Sequence, residues 1–197
     1  MQAKSSSLKT LAKRLAHLAL GEYSVYYIYT CSGESTPTPH ADPALRVEPV
    51  DGATIRASAD PEIRDQAGHT GAGAYAHGCF EGERLICVCF CWHGERYQGH
   101  DFWPLHDDEA WVEHIYALPG ARGRGVAAAV FADFSRDLLD KGFARLYCRI
   151  WHSNVPSWRA IERAGWRRVA LVVEINPLRR RRAIRLRRRL GAQAQPR

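Results

Sequence analysis

The apolar positions change period several times along the chain, and each change marks an element. Between Ser5 and Leu20, Leu8, Leu11, Ala12, Leu15, Leu18 and Ala19 recur at helical spacing, Lys9 and Lys13 lie off that stripe, serines precede it and Gly21 follows. This predicts an amphipathic helix with its caps. Tyr23 to Thr30 is a β-rich run, and Ser32 to Pro43 is a Ser, Thr, Gly and Pro loop. From Leu45 the order becomes regular. A strand, Leu45 to Glu48, ends at Pro49, and a mostly helical region runs from about Ala53 to Gln66. Strands at Ala74–Phe80 and Leu85–Trp92 are joined by Glu81-Gly82-Glu83, a hairpin turn. A polar, aromatic loop crosses His93 to Asp108. Then follow a strand over 110–118, a helix over 126–141, a strand from Ala144 to Trp151, a helix from Pro156 to Ala164 and a strand from Trp166 to Ile175. Such alternation predicts an α/β (α+β) fold, a mixed sheet with helices on its faces. There is no internal repeat.

Composition narrows the class without changing that picture. The 197 residues suffice for one domain with a real core, and 46% hydrophobic with 25% charged content describes an ordinary globular chain. We expect an N-terminal extension over 1–43, the α/β domain over 44–176 and an arginine-rich tail over 177–197. No apolar run approaches a membrane span, and the N-terminus lacks the pattern of a secretory signal, so cytoplasm is the expected compartment.

The net charge of +7 is not spread over the chain. Arg179 to Arg182, Arg185 and Arg187 to Arg189 are eight arginines in the tail; without them 20 basic residues face 21 acidic ones. The body is near neutral, unlike a basic DNA-binding domain. The tail is either a solvated end or a contact for anionic membrane or RNA, and the N-terminal helix is either docked or a membrane-surface partner of that tail. Cys87, Cys89 and Cys91 alternate with Val88 and Phe90, which puts three thiols on one strand face. That spacing suits neither a zinc knuckle nor a redox pair. They read as small buried apolar residues, and no metal site is expected.

The candidate chemistry sits between the strand at 110–118 and the helix after it. There Pro119-Gly120-Ala121-Arg122-Gly123-Arg124-Gly125-Val126-Ala127 forms a glycine-punctuated turn. Strand, turn and helix aim several backbone N–H groups at one point and add the positive end of a helix dipole. Gly123 and Gly125 allow close backbone approach, and Arg122 and Arg124 add charge-assisted donors. A phosphate suits such a point. The pattern is neither Gly-x-Gly-x-x-Gly nor a Walker loop.

Arg122, Gly125 and Ala127 resemble the Arg/Gln-x-x-Gly-x-Gly/Ala pyrophosphate loop of the GNAT superfamily of N-acetyltransferases. Asn154 and Ser157, followed by a helix and Gly165-Trp166, resemble the family's second motif at the expected distance. The resemblance covers about Leu45 to Ile175. It implies a splayed sheet in which the pantetheine arm of acetyl-CoA lies between two parting strands. On that basis Ile115, Tyr116 and Ala117 would offer backbone bonds to the arm and the thioester. Arg122, Gly123, Arg124, Gly125, Val126 and Ala127 would hold the pyrophosphate, and Asn154 would bond the arm with Ser157 nearby. Asn154 would also serve as an ordinary helix cap.

Acetyl transfer to an amine needs a proton acceptor, because a primary amine near pKa 10 is protonated at pH 7. Glu113, nine residues before Arg122, matches an acid/base glutamate found in some family members, and alternation would put it on one strand face with Trp111, Ile115 and Ala117; a solvent-facing strand glutamate is the plain alternative. The tyrosine that many members carry seven residues after the motif asparagine is replaced by Ile161, with Tyr116, Tyr147 and His152 as unranked substitutes; His114 and His152 otherwise read as structural. Tyr97, Phe102, Trp103, Asp101, Asp107 and Asp108 either line the acceptor side, as aromatic and acidic walls for a cationic amine, or pack as a surface loop. Three functions stay open: an acetyl-CoA-dependent N-acetyltransferase for a small-molecule or peptide amine, a non-catalytic acyl-CoA-binding module, and an acyltransferase recruited to RNA or membrane. A homodimer also stays open.

Overall fold

The computed structural model describes residues 22–33, 44–99, 102–176 and 183–190; the predicted N-terminal helix and most of the following loop lie outside them. The chain divides into two compact units. The larger comprises Tyr29–Ile150 and Asn154–Arg167, the smaller the earlier residues, Trp151–Ser153 and the chain from Arg168.

The larger unit holds strands β2 (Leu45–Pro49), β3 (Ala74–Glu81), β4 (Arg84–Trp92), β5 (Glu109–Ala117) and most of β6 (Arg145–Trp151), in that spatial order, with the end of β1 (Glu22–Ser32) beyond β6. Strands β2 to β5 pair antiparallel, whereas β5 and β6 are parallel. The hairpin turn between β3 and β4 places Gly82 at φ 59°, where a side chain is disfavoured.

The long helix α4 (Val126–Asp140) packs on β2 to β5. Val126, Ala129, Val130, Phe134 and Leu138 recur at helical spacing and are essentially inaccessible to solvent. Each such Val, Leu or Phe contributes about 1.5–3 kcal/mol on burial. Helix α5 (Val155–Arg163) lies against α4. Ser135 on α4 donates to the Phe131 carbonyl, and its Oγ accepts the Trp166 indole N–H at 2.9 Å. The Gly165-Trp166 pair after α5 is thereby tied to the long helix. As expected, Cys87, Cys89 and Cys91 alternate along β4 and are buried.

Two regions of this unit differ from expectation. The predicted helical region over 53–66 is two short helices, α1 (Gly52–Arg56) and α2 (Pro61–Arg64), with a 3-10 turn at Asp65–His69. Asp51 caps α1 by accepting the Thr54 N–H at 2.7 Å, and the proline at 61 starts a fresh helix instead of continuing the first. The loop after β4 contains a short helix, α3 (Gly94–Gln98). Within it and beyond, Tyr97, Phe102 and Trp103 are buried; Tyr97 Oη donates to the Trp103 carbonyl and accepts its N–H, both at 2.8 Å. These aromatics are therefore packed into the core, though Tyr97 and Trp103 also line a small cavity with Asp107; Asp107 and Asp108 are exposed and Asp101 lies outside the described residues.

In the smaller unit the order is β1, β7 (Arg167–Asn176) and β8 (Ile184–Arg189). Part of the arginine-rich tail is thus a strand, paired antiparallel with β7 from Ile175↔Ile184 to Ala170↔Arg189. Arg185 Nε donates to Glu174 Oε2 at 2.7 Å, directly across the pair. Among the described residues no helix is long and apolar enough to cross a membrane.

Candidate active site

The site grows from the way β5 meets its two neighbours. Toward β4, pairing continues to the end of the strand, at Cys87↔Ala117. Toward β6, the pairs run from Glu109↔Arg145 to Val112↔Cys148; among the described residues none follows. The two parallel strands therefore part after Val112. One edge of residues 113–117 is left without a sheet partner, and backbone groups there need bonds from elsewhere. Ile115, Tyr116 and Ala117 lie on this stretch and are half-buried.

A bulge sets what the strand presents. Phe90 pairs with His114 and the adjacent Cys91 pairs with Val112, so Glu113 is the extra residue. Residues directly opposite each other share a face. Trp111 (opposite Trp92), His114 (opposite Phe90) and Tyr116 (opposite Val88) lie on one side; Val112, Ile115 and Ala117, opposite Cys91, Cys89 and Cys87, lie on the other. The expectation that Glu113 shares a face with Trp111, Ile115 and Ala117 therefore holds for Trp111 and fails for Ile115 and Ala117, because the bulge breaks the alternation after Glu113. Glu113 stays with Trp111, whose Nε1 donates to its Oε2 at 3.0 Å.

That side also carries a residue that the sequence reading missed. His69 closes the 3-10 turn, where Trp92 Nε1 and Arg96 Nη2 donate to its carbonyl at 3.0 and 3.1 Å. Its ring stacks on His114 with centroids 4.8 Å apart and planes 18° apart, and it also meets Phe90 at 5.1 Å. Burial lowers the His69 pKa, Glu113 opposes that shift and Arg96 adds to it; burial and then His69 lower that of His114. In sequence, His69 is one histidine in a Gly-His-Thr-Gly loop, 45 positions from its partner, and no local pattern joins them.

At the other end of β5, a 3-10 turn over Pro119–Ala121 leads into the glycine loop. Gly123 and Gly125 adopt φ 76° and 83°, and a Cβ on Gly123 would meet nothing within 4 Å. The first backbone bond of α4 runs from the Ala129 N–H to the Gly125 carbonyl, and Gly125 adds no side-chain cap. The amides of Val126, Ala127 and Ala128 therefore have no partner inside the helix. Arg122 Nε donates to the Ala117 carbonyl at 3.1 Å, and its guanidinium lies 5.8 Å from the Tyr116 ring centre. The Ala117 carbonyl thus already has a partner. Arg124 pairs with Glu81. Each guanidinium carries five donors, so one partner does not exhaust it.

The second motif folds as a helix start. Asn154 caps α5, its Oδ1 accepting the Ser157 N–H at 3.4 Å, and both residues reach solvent. Ile161 on α5 is fully buried, so the position is a core position with no proton to give. Of the substitutes, Tyr147 Oη is held by Arg145 Nη1 at 3.2 Å and Glu109 Oε1 at 3.4 Å. His152, in the smaller unit, has Nδ1 3.3 Å from the Val25 carbonyl. Among the described residues no group of three or more His, Cys, Asp or Glu could hold a metal ion.

An open strand edge ending in a loop of outward amides, positive-φ glycines and two arginines fits a molecule with an amide-bearing arm and a diphosphate, as coenzyme A has. Comparison with known proteins agrees with this chemistry. Residues 49–166 match the family model described as "Acetyltransferase (GNAT) family". A putative GNAT acetyltransferase from Novosphingobium aromaticivorans has a TM-score of 0.54 and 17% identity, over 79% of this chain and 64% of that one. A GNAT-family acetyltransferase from Colwellia psychrerythraea gives 0.53 and 14%, over 84% and 60%. A GCN5-related N-acetyltransferase from Sphaerobacter thermophilus gives 0.55 and 10%, over 94% and 56%. The chain thus spans between 56% and 64% of these solved chains, and at such identities the likeness is one of fold. No curated protein matches it by sequence. Because the matched residues run from the end of β2 through the glycine loop to Trp166, the chain belongs to the GNAT acetyltransferase family.

Proposed function

We propose that the protein is an N-acetyltransferase that moves the acetyl group of acetyl-CoA to a primary amine by direct attack within a ternary complex. The observation that carries this is the parting of β5 from β6 after Val112, with Glu113 bulged out beside the opening. Acetyl-CoA supplies an activated thioester. The chain's own residues do the rest. The amides of Gly123 to Ala127, with Arg122 and Arg124, hold the diphosphate, while the open edge at Ile115, Tyr116 and Ala117 and the α5 start at Asn154 and Ser157 align the arm. Glu113 accepts the acceptor amine's proton at Oε1 or Oε2, leaving a neutral nucleophile. Ile161 donates nothing, so the leaving sulfur departs as thiolate or takes its proton from water.

Calorimetry with acetyl-CoA, together with coenzyme A release in the presence of primary amines, tests this reading. Binding with amine-dependent release is expected. Binding without release across amines of differing charge and size, unaltered by Glu113→Gln, would instead identify a non-catalytic acyl-CoA-binding module.

A further inference from the structure

We propose that His69 and His114 form, together with Glu113, a stacked imidazole relay that carries the acceptor amine's proton from the β5 bulge to solvent. The inference rests on the acetyltransferase reading and adds two residues to it. The bulge turns the consecutive residues Glu113 and His114 to one side of β5, and His69 stacks on His114 with centroids 4.8 Å apart; all three are half-buried and so within reach of water. His114 is fixed by its pairing with Phe90, and His69 by the two bonds to its carbonyl from Trp92 and Arg96. Each ring is held by backbone placement and by Phe90, whose ring lies 5.1 Å from His69 at a tilt of 32° and nearly parallel to His114 at 6.5 Å. A stack this close is cheap when both rings are neutral and costly when both are charged, so the pair takes up one proton at a time.

The charged and titratable groups facing His69 are Glu113 and His114 from β5 and Arg96 from α3. Glu113 favours an imidazolium there, while burial and Arg96 disfavour it. In the step itself an N–H bond of R–NH3+ breaks, its electron pair stays on the amine, and the proton goes to the Glu113 carboxylate. An imidazole nitrogen then takes it and passes it to water, while the amine forms its C–N bond as the C–S bond of the thioester breaks; the second N–H proton, acidic once the nitrogen is acylated, leaves through water to the thiolate sulfur. Charge and atoms balance without a further reactant.

The test uses the full chain. Calorimetry with acetyl-CoA first establishes that each variant keeps its donor site; failure of the wild type there would sink the acetyltransferase reading and the relay with it, whereas the readouts below can overturn the relay alone. With histidine-labelled protein, NMR titration should show the His69 midpoint moving down in Glu113→Gln and the His114 midpoint moving up in His69→Gln, since each change removes the group that now opposes the move. Turnover is probed with tyramine and spermidine. His69→Ala should lower kcat by about 10-fold to 100-fold, leave KM for acetyl-CoA unchanged, alter the acid limb of the pH profile and be partly rescued by free imidazole. A merely structural role would show no rescue and no change in the limb. His69 and His114 midpoints indifferent to Glu113→Gln and His69→Gln would overturn the relay even where neither amine is acetylated. Full kcat in His69→Ala would do the same.

Discussion

The indole of Trp111 donates to the carboxylate of Glu113 at 3.0 Å although the two are only two residues apart on β5. Ordinary strand alternation puts the two on one face, the bulge then turns Ile115 and Ala117 away from them, and the bond leaves the second carboxylate oxygen for the proposed proton acceptance. We expect Glu113→Gln to lower turnover by roughly 100-fold or more, with acetyl-CoA affinity unchanged. Trp111→Phe keeps the ring but removes the donor, and should lower turnover less. Steady-state kinetics beside calorimetry separate the two, and equal activity of Glu113→Gln across pH would place the base elsewhere.

Gly125 is the natural place to challenge the diphosphate site. It stands at φ 83° immediately before α4, where a side chain costs about 1–2 kcal/mol and asparagine is tolerated best. Gly125→Asn should retain most coenzyme A affinity. Gly125→Glu adds a negative charge beside a diphosphate and should weaken binding at least about 10-fold further. Similar calorimetric affinities for the two variants would count against the assignment.

His77 predicts how stability depends on pH. It is 2% exposed on β3, its Nε2 lies 3.0 Å from Asp137 Oδ2, and Phe134 meets its ring edge-on. Burial lowers its pKa from the usual 6.5, and Asp137 opposes this only in part. Above 6.5 both the folded and unfolded states are neutral at this residue. Below it the unfolded chain takes up a proton that the folded imidazole resists, so stability is lost as pH falls, by at most about 1.4 kcal/mol per unit for one histidine. His69 and His114 act in the same direction. In urea denaturation between pH 8 and pH 5, His77→Gln should flatten the decline without abolishing it; an unchanged slope would refute the point.

Ile161 occupies a family tyrosine position, yet reinstating the tyrosine should do harm. The side chain is fully buried on α5, and overpacking such a site typically costs about 1–3 kcal/mol. Ile161→Tyr is expected to lower the urea midpoint with no gain in turnover. A rise in kcat at unchanged stability would mean that the phenol reaches the reacting sulfur.

Much of this fold is legible in local pattern. The alternation over Ala74 to Trp92, the turn at Gly82 and the helical spacing from Val126 to Leu138 each depend on residues near in sequence. The glycine loop proposed to hold the diphosphate is legible for the same reason, since its glycines and arginines lie within four positions. What escapes depends on a partner. Glu113 is an extra residue only by comparison with Phe90 and Cys91 across the ladder, and His69 meets His114 only once the sheet has closed. The strand at Ile184–Arg189 was hidden by charge, because a run of arginines reads as solvated chain. The alternation of Ile184 and Leu186 with Arg185 and Arg187 was its one local sign.

That strand changes what the arginines are. In an unstructured end, positive charges drift with the backbone and present an average. Paired along β7 in the register Glu174↔Arg185 to Ala170↔Arg189, Arg185, Arg187 and Arg189 stand on one face at intervals of about 7 Å. Their order and pitch are then fixed like teeth on a rack, and shortening the chain by a single residue between them would turn every later tooth to the opposite face.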